Sequence, residues 1–193
     1  MLRRLYDWTM RLAQHRQAPW WLALVSFVES SVFPIPPDVM LLPMILAAPA
    51  RAWLFAGIAT AASVVGGLAG YAIGLGLYEA VALPLLEIYG YADKFAEFQT
   101  LYNEYGAWVV FTAGVTPFPY KVITIASGAT ALDLPTFLVA SVLARGLRFF
   151  LEAALLWKFG PPIRDFVERR LALMTTLFVV LLIGGFVALR FLF

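Results

Sequence analysis

The sequence predicts an all-α integral membrane protein in which two broken helical hairpins form an inverted repeat. The 193 residues are 62% hydrophobic and only 13% charged, with a mean hydropathy of +0.84. Soluble domains are about half apolar and about a quarter charged. Long uncharged stretches exceed the roughly 20 residues that a transmembrane helix needs, and shorter ones are interrupted by two proline-containing breaks. Together these features predict about three full transmembrane helices, two re-entrant hairpins and two amphipathic surface helices in one membrane domain.

The composition also excludes several classes of function. The chain has no cysteine, which excludes disulfides, thiolate catalysis and cysteine metal sites. Its one histidine, His15, lies in a basic N-terminal segment, so histidine metal clusters and Ser-His-Asp triads are not expected. A net charge of +2 gives no basic patch for nucleic acid. We expect no metal, no cofactor and no enzymatic activity, although carboxylate chemistry alone stays open.

The N-terminal quarter of the chain predicts a surface helix followed by a re-entrant hairpin. In residues 1–17 apolar and basic side chains separate onto two faces, as in helices that lie on anionic headgroups. Residues 18–50 hold two uncharged runs, each too short to cross a hydrocarbon core of about 30 Å. The prolines that prevent a continuous helix between these runs are Pro34, Pro36 and Pro37. We call this predicted unit hairpin 1.

The rest of the chain repeats this order of elements. Residues 52–78 are uncharged and predict a transmembrane helix about 40 Å long. Acidic surface helices are expected over 79–105, and a second re-entrant hairpin over 106–132. We call this hairpin 2, and its break contains Pro117 and Pro119. Residues 134–157 and 171–190 predict two further transmembrane helices.

The prolines and their neighbours predict an internal repeat with an offset of 83 residues. FPIPPD at 33–38 aligns with TPFPYK at 116–121. This alignment places Pro34 on Pro117, Pro36 on Pro119 and Asp38 on Lys121. Because one crossing separates the two hairpins, they would enter the membrane from opposite sides, as in secondary transporters. The alternative is two unrelated proline breaks.

The distribution of basic residues predicts the orientation. The N-terminal segment, Arg51 and the loop 158–170 are basic, whereas 79–104 carries five acidic residues and one basic residue. The positive-inside rule therefore places the N-terminus in the cytoplasm and the acidic segment outside.

Six charged residues fall within or beside the apolar segments, and their charges cancel. Each would cost about 2.5–3.5 kcal/mol if it faced lipid at the centre of the bilayer, so they should face each other or a watery cavity. They are Glu29, Asp38, Lys121, Arg145, Arg148 and Glu152. The last three lie at i, i+3 and i+7, which places them on one helix face. One interpretation is a salt-bridge network that holds the hairpins to the helices.

The other interpretation of these charges is a transport site. Broken hairpins leave helix ends inside the membrane, where their N-termini attract anions. Arginine forms bidentate contacts with phosphate, and a desolvated carboxylate at Glu29 or Asp38 can carry a proton. We therefore expect substrate binding or proton coupling at these six residues. The stripe formed by Gly66, Gly70 and Gly74 is expected to serve close helix packing.

With these motifs identified, the chain resembles the DedA superfamily, also described as the SNARE-associated or VTT domain. The residues that carry the resemblance are ESSVFPIPPD (29–38), GLAGYAIG (67–74), GVTPFPYK (114–121), Arg145 and Arg148. The closest likeness is to the YqaA-type branch. Many members have two arginines in the second hairpin, and Val115 and Lys121 stand at those positions here. Lysine binds phosphate through a single ammonium charge, whereas arginine binds it through two parallel N–H donors.

The resemblance implies a multi-pass protein of the bacterial inner membrane with paired re-entrant hairpins. Some members are implicated in flipping lipid phosphates such as undecaprenyl phosphate, and others in phospholipid scrambling or proton-dependent transport. The leading hypothesis is therefore translocation of a phospholipid or polyprenyl phosphate, with proton coupling through the hairpin carboxylates. Its partners would be membrane lipids and protons, and a homo-oligomer stays open. The alternatives are a proton-coupled ion or small-solute antiporter and a non-transporting scaffold for envelope assembly.

Overall fold

The computed structural model describes residues 15–32, 36–116, 118–160 and 162, and the regular structure within these ranges is entirely helical. The helices are α1 (Ala18–Ser31), α2 (Asp38–Ala47), α3 (Ala52–Leu77), α4 (Leu83–Tyr89), α5 (Ala92–Val115), α6 (Tyr120–Ala129) and α7 (Leu134–Gly160). A 3₁₀ turn, Pro49–Arg51, leads into α3, and a π-helical segment, Tyr78–Ala82, joins α3 to α4. The predicted transmembrane helix at 171–190 and most of the predicted surface helix at 1–17 lie outside the described residues.

Two of the helical runs are long and apolar enough to cross a membrane. Within the described residues these are Pro49–Tyr89, with 41 residues, and Leu134–Gly160, with 27 residues. They contain the transmembrane helices predicted at 52–78 and 134–157. By contrast, α2 is an apolar helix of only 10 residues, and Pro43 lies inside it. At about 1.5 Å per residue, α2 reaches only halfway across a hydrocarbon core.

The described parts of both proline breaks separate helices at the positions that the sequence indicates. Helix α1 ends at Ser31 and α2 begins at Asp38, while α5 ends at Val115 and α6 begins at Tyr120. Helix α5 runs without interruption from Ala92, so the acidic segment and the first arm of hairpin 2 are one helix. The division at 105/106 therefore has no structural break, because no proline interrupts the helix there. Gly106 packs closely against the side chain of Leu132.

The helix boundaries follow the 83-residue offset of the repeat. Shifted by 83, the end of α1, both ends of α2 and the start of α3 fall at positions 114, 121, 130 and 135. The corresponding boundaries of α5, α6 and α7 lie at Val115, Ala129 and Leu134, with α6 starting at Tyr120. Each pair agrees to within one residue. The inversion of one unit relative to the other in the membrane stays a prediction.

Helix α3 is the central helix of the described structure, and glycines let its neighbours approach closely. A Cβ atom added at Gly66 would collide with the backbone of Phe27 in α1. One added at Gly74 would collide with the carbonyl oxygen of Ile125 in α6, and one at Gly128 in α6 with that of Tyr71 in α3. Without side chains at these points, α1 and α6 pack against α3 backbone to backbone.

Polar side chains lie inside this bundle, and many apolar side chains face outward. The buried polar residues include Ser26, Ser30, Ser63, Thr124, Ser127, Ser141 and Arg145. On the outer faces, Leu143, Leu151 and Leu155 of α7 are about half exposed. Polar side chains buried among apolar ones, with an apolar exterior, are the arrangement expected of helices that pack in lipid.

The loop between α6 and α7 holds a capping residue for α7. The Asp133 carboxylate accepts hydrogen bonds from the Thr136 backbone N–H at 2.9 Å and the Thr136 hydroxyl at 2.7 Å. These bonds satisfy a donor in the first turn of α7 and lower the pKa of Asp133, because they stabilise its ionised form.

Candidate functional site

The predicted charged residues meet where both proline breaks approach the middle of α7. Arg145 and Arg148 lie near the midpoint of this 27-residue helix. Glu29 lies near the end of α1, before the first break, and Asp38 begins α2 after it. The helix boundaries thus bring residues that are more than 100 positions apart in sequence to one place.

Arg145 is the most deeply buried of these charges. It is 1% exposed, and its Nη2 contacts Glu29 Oε2 at 3.0 Å. Its Nε donates to Ser63 Oγ at 2.6 Å, Ser63 and Ser30 are joined at 2.6 Å, and Ser30 donates to Glu29 at 3.0 Å. Because the single hydroxyl proton of Ser30 points to Glu29, Ser63 must be the donor to Ser30. The four side chains form a closed ring of hydrogen bonds.

Aromatic rings complete the surroundings of Arg145. Its guanidinium carbon lies 4.9 Å from the ring centroid of Tyr120 and 4.5 Å from that of Phe149. Its Nη1 atom is buried without a hydrogen-bond partner among the described residues, so cation–π attraction is its main compensation. Tyr120 is fixed in turn by a hydrogen bond from its hydroxyl to Ser141 at 2.5 Å.

Arg148 forms a second, more accessible ion pair. Its Nη2 contacts Asp38 Oδ2 at 2.6 Å, and the two side chains are 22% and 26% exposed. Its Nη1 donates to the backbone carbonyl of Thr116 at 3.0 Å. Arg148 therefore connects the first break to the second. Glu152, one turn further along α7, lies beside both Asp38 and Arg148.

Lys121 lies in the first turn of α6 and reaches back to the end of α1. Its Nζ donates to the backbone carbonyl of Val32 at 3.3 Å. Asp38 and Lys121 occupy equivalent positions in the predicted repeat, but the ion pair of Asp38 is formed with Arg148. Lys121 is thus a second cation at the junction of the two breaks.

A cavity of about 640 Å³ lies between the two breaks. Four of the six predicted charged residues, Glu29, Asp38, Lys121 and Arg148, line it. The remaining lining residues come from the breaks and from the first turns of α2, and they are Pro36, Pro37, Val39, Leu42, Phe118 and Pro119. The cavity thus combines charged and apolar groups, as ligand sites commonly do.

Two helix N-termini open onto this cavity. Asp38 and Val39 of α2 and Lys121 of α6 belong to the first turns of their helices. Neither helix has a side-chain hydrogen bond at its N-cap, since Pro37 and Pro119 occupy those positions. In α2 the Val39 and Met40 N–H groups already donate to the carbonyls of Pro36 and Pro37, and in α6 the Val122 N–H donates to that of Pro119. The remaining N–H groups of the first turns, with the partial positive charge of the helix ends, favour a bound anion. The cavity therefore has two helix ends and two cationic side chains that can bind one.

Comparison with known proteins gives the family. The VTT domain matches residues 35–158, which is well over half of the chain and includes α2 to α7. This chain belongs to the VTT domain family. An uncharacterized protein of Haemophilus influenzae is 40% identical over 168 residues, covering 85% of this chain and 87% of that protein. An uncharacterized protein of Histophilus somni is equally similar over the same shares. No solved structure matches.

Family membership agrees with the membrane character of the helices. VTT-domain proteins of the DedA family are membrane proteins, and two described helical runs have the length and composition of transmembrane helices. Within the described ranges, no group of three or more metal-binding side chains occurs. The site of this VTT-domain protein brings two cations, two carboxylates and two helix N-termini together around one cavity.

The structure adds polar residues that the sequence did not single out. Ser30 and Ser63 complete the ring around Arg145 and Glu29, and Tyr120 covers the guanidinium group. Thr124 of α6 donates to the Ser30 carbonyl at 3.0 Å, which joins α6 to α1. Single hydroxyl residues are common in transmembrane helices, so their pattern in the sequence carries little signal.

Proposed function

We propose that this VTT-domain protein translocates a phospholipid or polyprenyl phosphate across the bacterial inner membrane. The observation that carries the proposal is the cavity between the two breaks, where Arg148, Lys121 and the N-termini of α2 and α6 converge. These groups are suited to a phosphate headgroup, because arginine supplies paired donors and helix ends supply free N–H groups.

Arg148 is the principal headgroup ligand in this proposal. It is partly exposed in the cavity and already binds a carboxylate, that of Asp38. A phosphate oxygen offers the guanidinium the same kind of acceptor with more negative charge, so the headgroup would compete with Asp38 for Arg148. Lys121 would add a point charge on the opposite wall.

The acidic residues supply a route for proton coupling. Release of Asp38 from Arg148 would leave its carboxylate beside that of Glu152, and these neighbouring acids are the proposed site of proton coupling. Glu29 also lines the cavity and is 13% exposed, but its oxygen is shared with Arg145 and Ser30. Proton binding at either acid would then depend on whether a phosphate occupies the cavity.

The membrane arrangement that accompanies this proposal is multi-pass, with a cytoplasmic N-terminus and two re-entrant hairpins of inverted topology. Three observations support the paired hairpins: the short α2, the matching helix boundaries at an offset of 83, and the meeting of both breaks at the middle of α7. The cytoplasmic N-terminus rests on the distribution of basic residues. If α7 spans the membrane, its middle lies near the bilayer centre, where transporters of this kind bind their substrates.

The surroundings of the cavity favour a lipid over the antiporter alternative. Val39 and Phe118 line the cavity and are 61% and 48% exposed. A lipid headgroup needs such a lateral opening among apolar side chains, whereas a small ion needs a closed aqueous path. The scaffold alternative predicts that a swapped ion pair works as well as the original, and Asp38 and Arg148 are the pair to exchange.

The test uses purified protein in liposomes with fluorescent phospholipid or polyprenyl phosphate in one leaflet. We expect wild-type protein to move the phosphate lipid, Arg148→Ala to abolish movement, and Lys121→Ala to slow it. Glu29→Gln should remove the dependence on a pH gradient. Lys158→Ala is the matched control, since Lys158 is exposed on α7 away from the cavity and its loss should leave the rate unchanged.

Two results would contradict the proposal. One is folded wild-type protein that moves no phosphate lipid under any gradient. The other is full activity of a variant that carries Asp38→Arg and Arg148→Asp together. A scaffold needs only an ion pair between these two positions, whereas the proposed phosphate site needs the cation at position 148. Each variant is first checked for a monodisperse elution profile in detergent.

A further inference from the structure

An apolar groove lies on the outer side of α5 and α7, away from the headgroup cavity. It measures about 570 Å³, and its lining includes Trp108 and Phe111 of α5 and Val139, Ala140 and Leu143 of α7. Trp108 is 71% exposed, Val139 60% and Leu143 58%, so the groove opens towards the surrounding lipid. Ala140 is buried at its base. We call this feature the α5–α7 groove.

A smaller depression borders both the α5–α7 groove and the headgroup cavity. It measures about 420 Å³ and is lined in part by Thr112, Thr116 and Ile123. It shares Trp108 with the groove and Phe118 with the headgroup cavity. Arg148 donates to the carbonyl of Thr116, a residue that lines this depression, so the cation lies beside it.

The three neighbouring pockets change in chemistry from the headgroup cavity, their inner end, to the α5–α7 groove, their outer end. The inner end has Arg148 and Lys121, and the outer end has tryptophan, phenylalanine, valine and leucine side chains. A small phosphate would use only the inner end, and an uncharged hydrocarbon only the outer end. A molecule that matches both ends has an anionic headgroup and an apolar chain, which is the chemistry of a phosphate lipid.

We infer that the α5–α7 groove holds the hydrocarbon chain of a phosphate lipid while its headgroup occupies the cavity at Arg148 and Lys121. This inference rests on the proposed function and adds where the chain lies during transfer. The chain would stay in contact with the bilayer along the groove as the headgroup crosses the polar interior. Larger side chains introduced into the groove would then weaken the binding of lipids with long hydrocarbon chains.

The test uses full-length protein in vesicles that contain phosphatidic acid with a photoreactive diazirine at the end of one acyl chain. We expect labelling of peptides from 107–111 and 135–143, reduced by excess unlabelled phosphatidic acid. Diacylglycerol with the same photoreactive chain lacks the phosphate. Any labelling of these peptides by this probe should therefore not decrease when unlabelled phosphatidic acid is added. Leu143→Trp should weaken competed labelling about tenfold by filling the groove.

Leu151→Trp is the matched control. Leu151 is exposed on the same helix but does not line the groove, so this variant should label like the wild type. Equal labelling by the two probes, or labelling that unlabelled phosphatidic acid does not reduce, would mean bulk lipid and would overturn the inference. So would absence of groove labelling, including the case in which residues 163–193 cover the groove.

The inference and the proposed function fail in different ways. Wild-type protein that moves no phosphate lipid in liposomes contradicts the proposed function, whatever the labelling shows. Wild-type protein that moves the lipid, with an unchanged rate in Leu143→Trp and no competed labelling of the groove, contradicts the groove alone.

Discussion

Arg145 shows why one residue type is required at a buried position. Its Nε binds Ser63 while its Nη2 binds Glu29, and its flat guanidinium group packs against two aromatic rings. A lysine ammonium cannot supply separate donors in this fork geometry. With 1% exposure, the group contacts protein on every side and fixes Glu29 at the cavity wall. We regard Arg145 as a positioning residue and Arg148 as the residue available to substrate.

We predict that Arg145→Met destabilises the protein by about 3–5 kcal/mol, because it leaves Glu29 without its partner in a poorly solvated place. Combining it with Glu29→Gln should cost less than Arg145→Met alone, since the uncompensated charge is then removed. The measurement is the free energy of unfolding in detergent micelles. Lys158→Met, at an exposed site on the same helix, is the control. Equal stability of both Arg145 variants and the wild type would show that the ion pair has no structural role.

At this scale the sequence could reveal the charged residues but not their partners. A charge in an apolar segment is rare enough to be singled out, and all six converge in the structure. The pairing depends on distances between helices that sequence spacing does not contain. Asp38 and Lys121 correspond in the predicted repeat, but the ion pair of Asp38 is with Arg148.

Among the helices, α3 organises its neighbours through glycines at specific positions. Gly74 faces the backbone of α6, whereas Gly76, two residues further along the same helix, has open space where a Cβ would be. Both residues are helical glycines, but only Gly74 contacts another helix. Alanine substitutions at the two positions therefore distinguish the cost of disturbing the contact with α6 from the gain in helix propensity.

We predict that Gly74→Ala destabilises the protein by about 1–3 kcal/mol, because the added methyl group forces α3 away from α6. Gly76→Ala should be neutral or stabilising by up to about 1 kcal/mol, since alanine favours helix where nothing obstructs it. Thermal unfolding of both variants in the same detergent compares them directly. A loss of stability at Gly76 equal to that at Gly74 would contradict the backbone contact.

The sequence predicted where apolar helices lie better than it predicted where one helix continues into the next. Helix α3 covers Ala52–Leu77 where an uncharged run predicted 52–78, and the helical run then continues through the π-helical segment and α4 to Tyr89. The prediction of a separate surface helix up to 105 was less accurate, since α5 continues to Val115. Acidic side chains mark a change of environment, but they do not end a helix as proline does.

For the whole molecule, the orientation in the membrane can be tested directly because the chain contains no cysteine. We predict that Arg51→Cys and Lys158→Cys react with a membrane-impermeant maleimide only from the cytoplasmic side. Glu87→Cys should react only from the opposite side, since basic segments stay in the cytoplasm. All three positions are exposed in the structure. Labelling of intact cells and of inverted vesicles gives the two measurements, and reaction of Glu87→Cys on the same side as Arg51→Cys would contradict this topology.

The contacts of α3 also determine which parts of the molecule can move. Helices α1, α3 and α6 touch through backbone atoms at Gly66, Gly74 and Gly128, and such contacts leave no side chains that can rearrange. Helix α2 instead packs through Leu41, Met44 and Ile45, whose rotamers can change. We expect α1, α3 and α6 to move as one unit. If the proposed transport occurs by alternating access, α2 is the helix that we expect to move against this unit, and an arriving headgroup would have to break the Arg148–Asp38 ion pair.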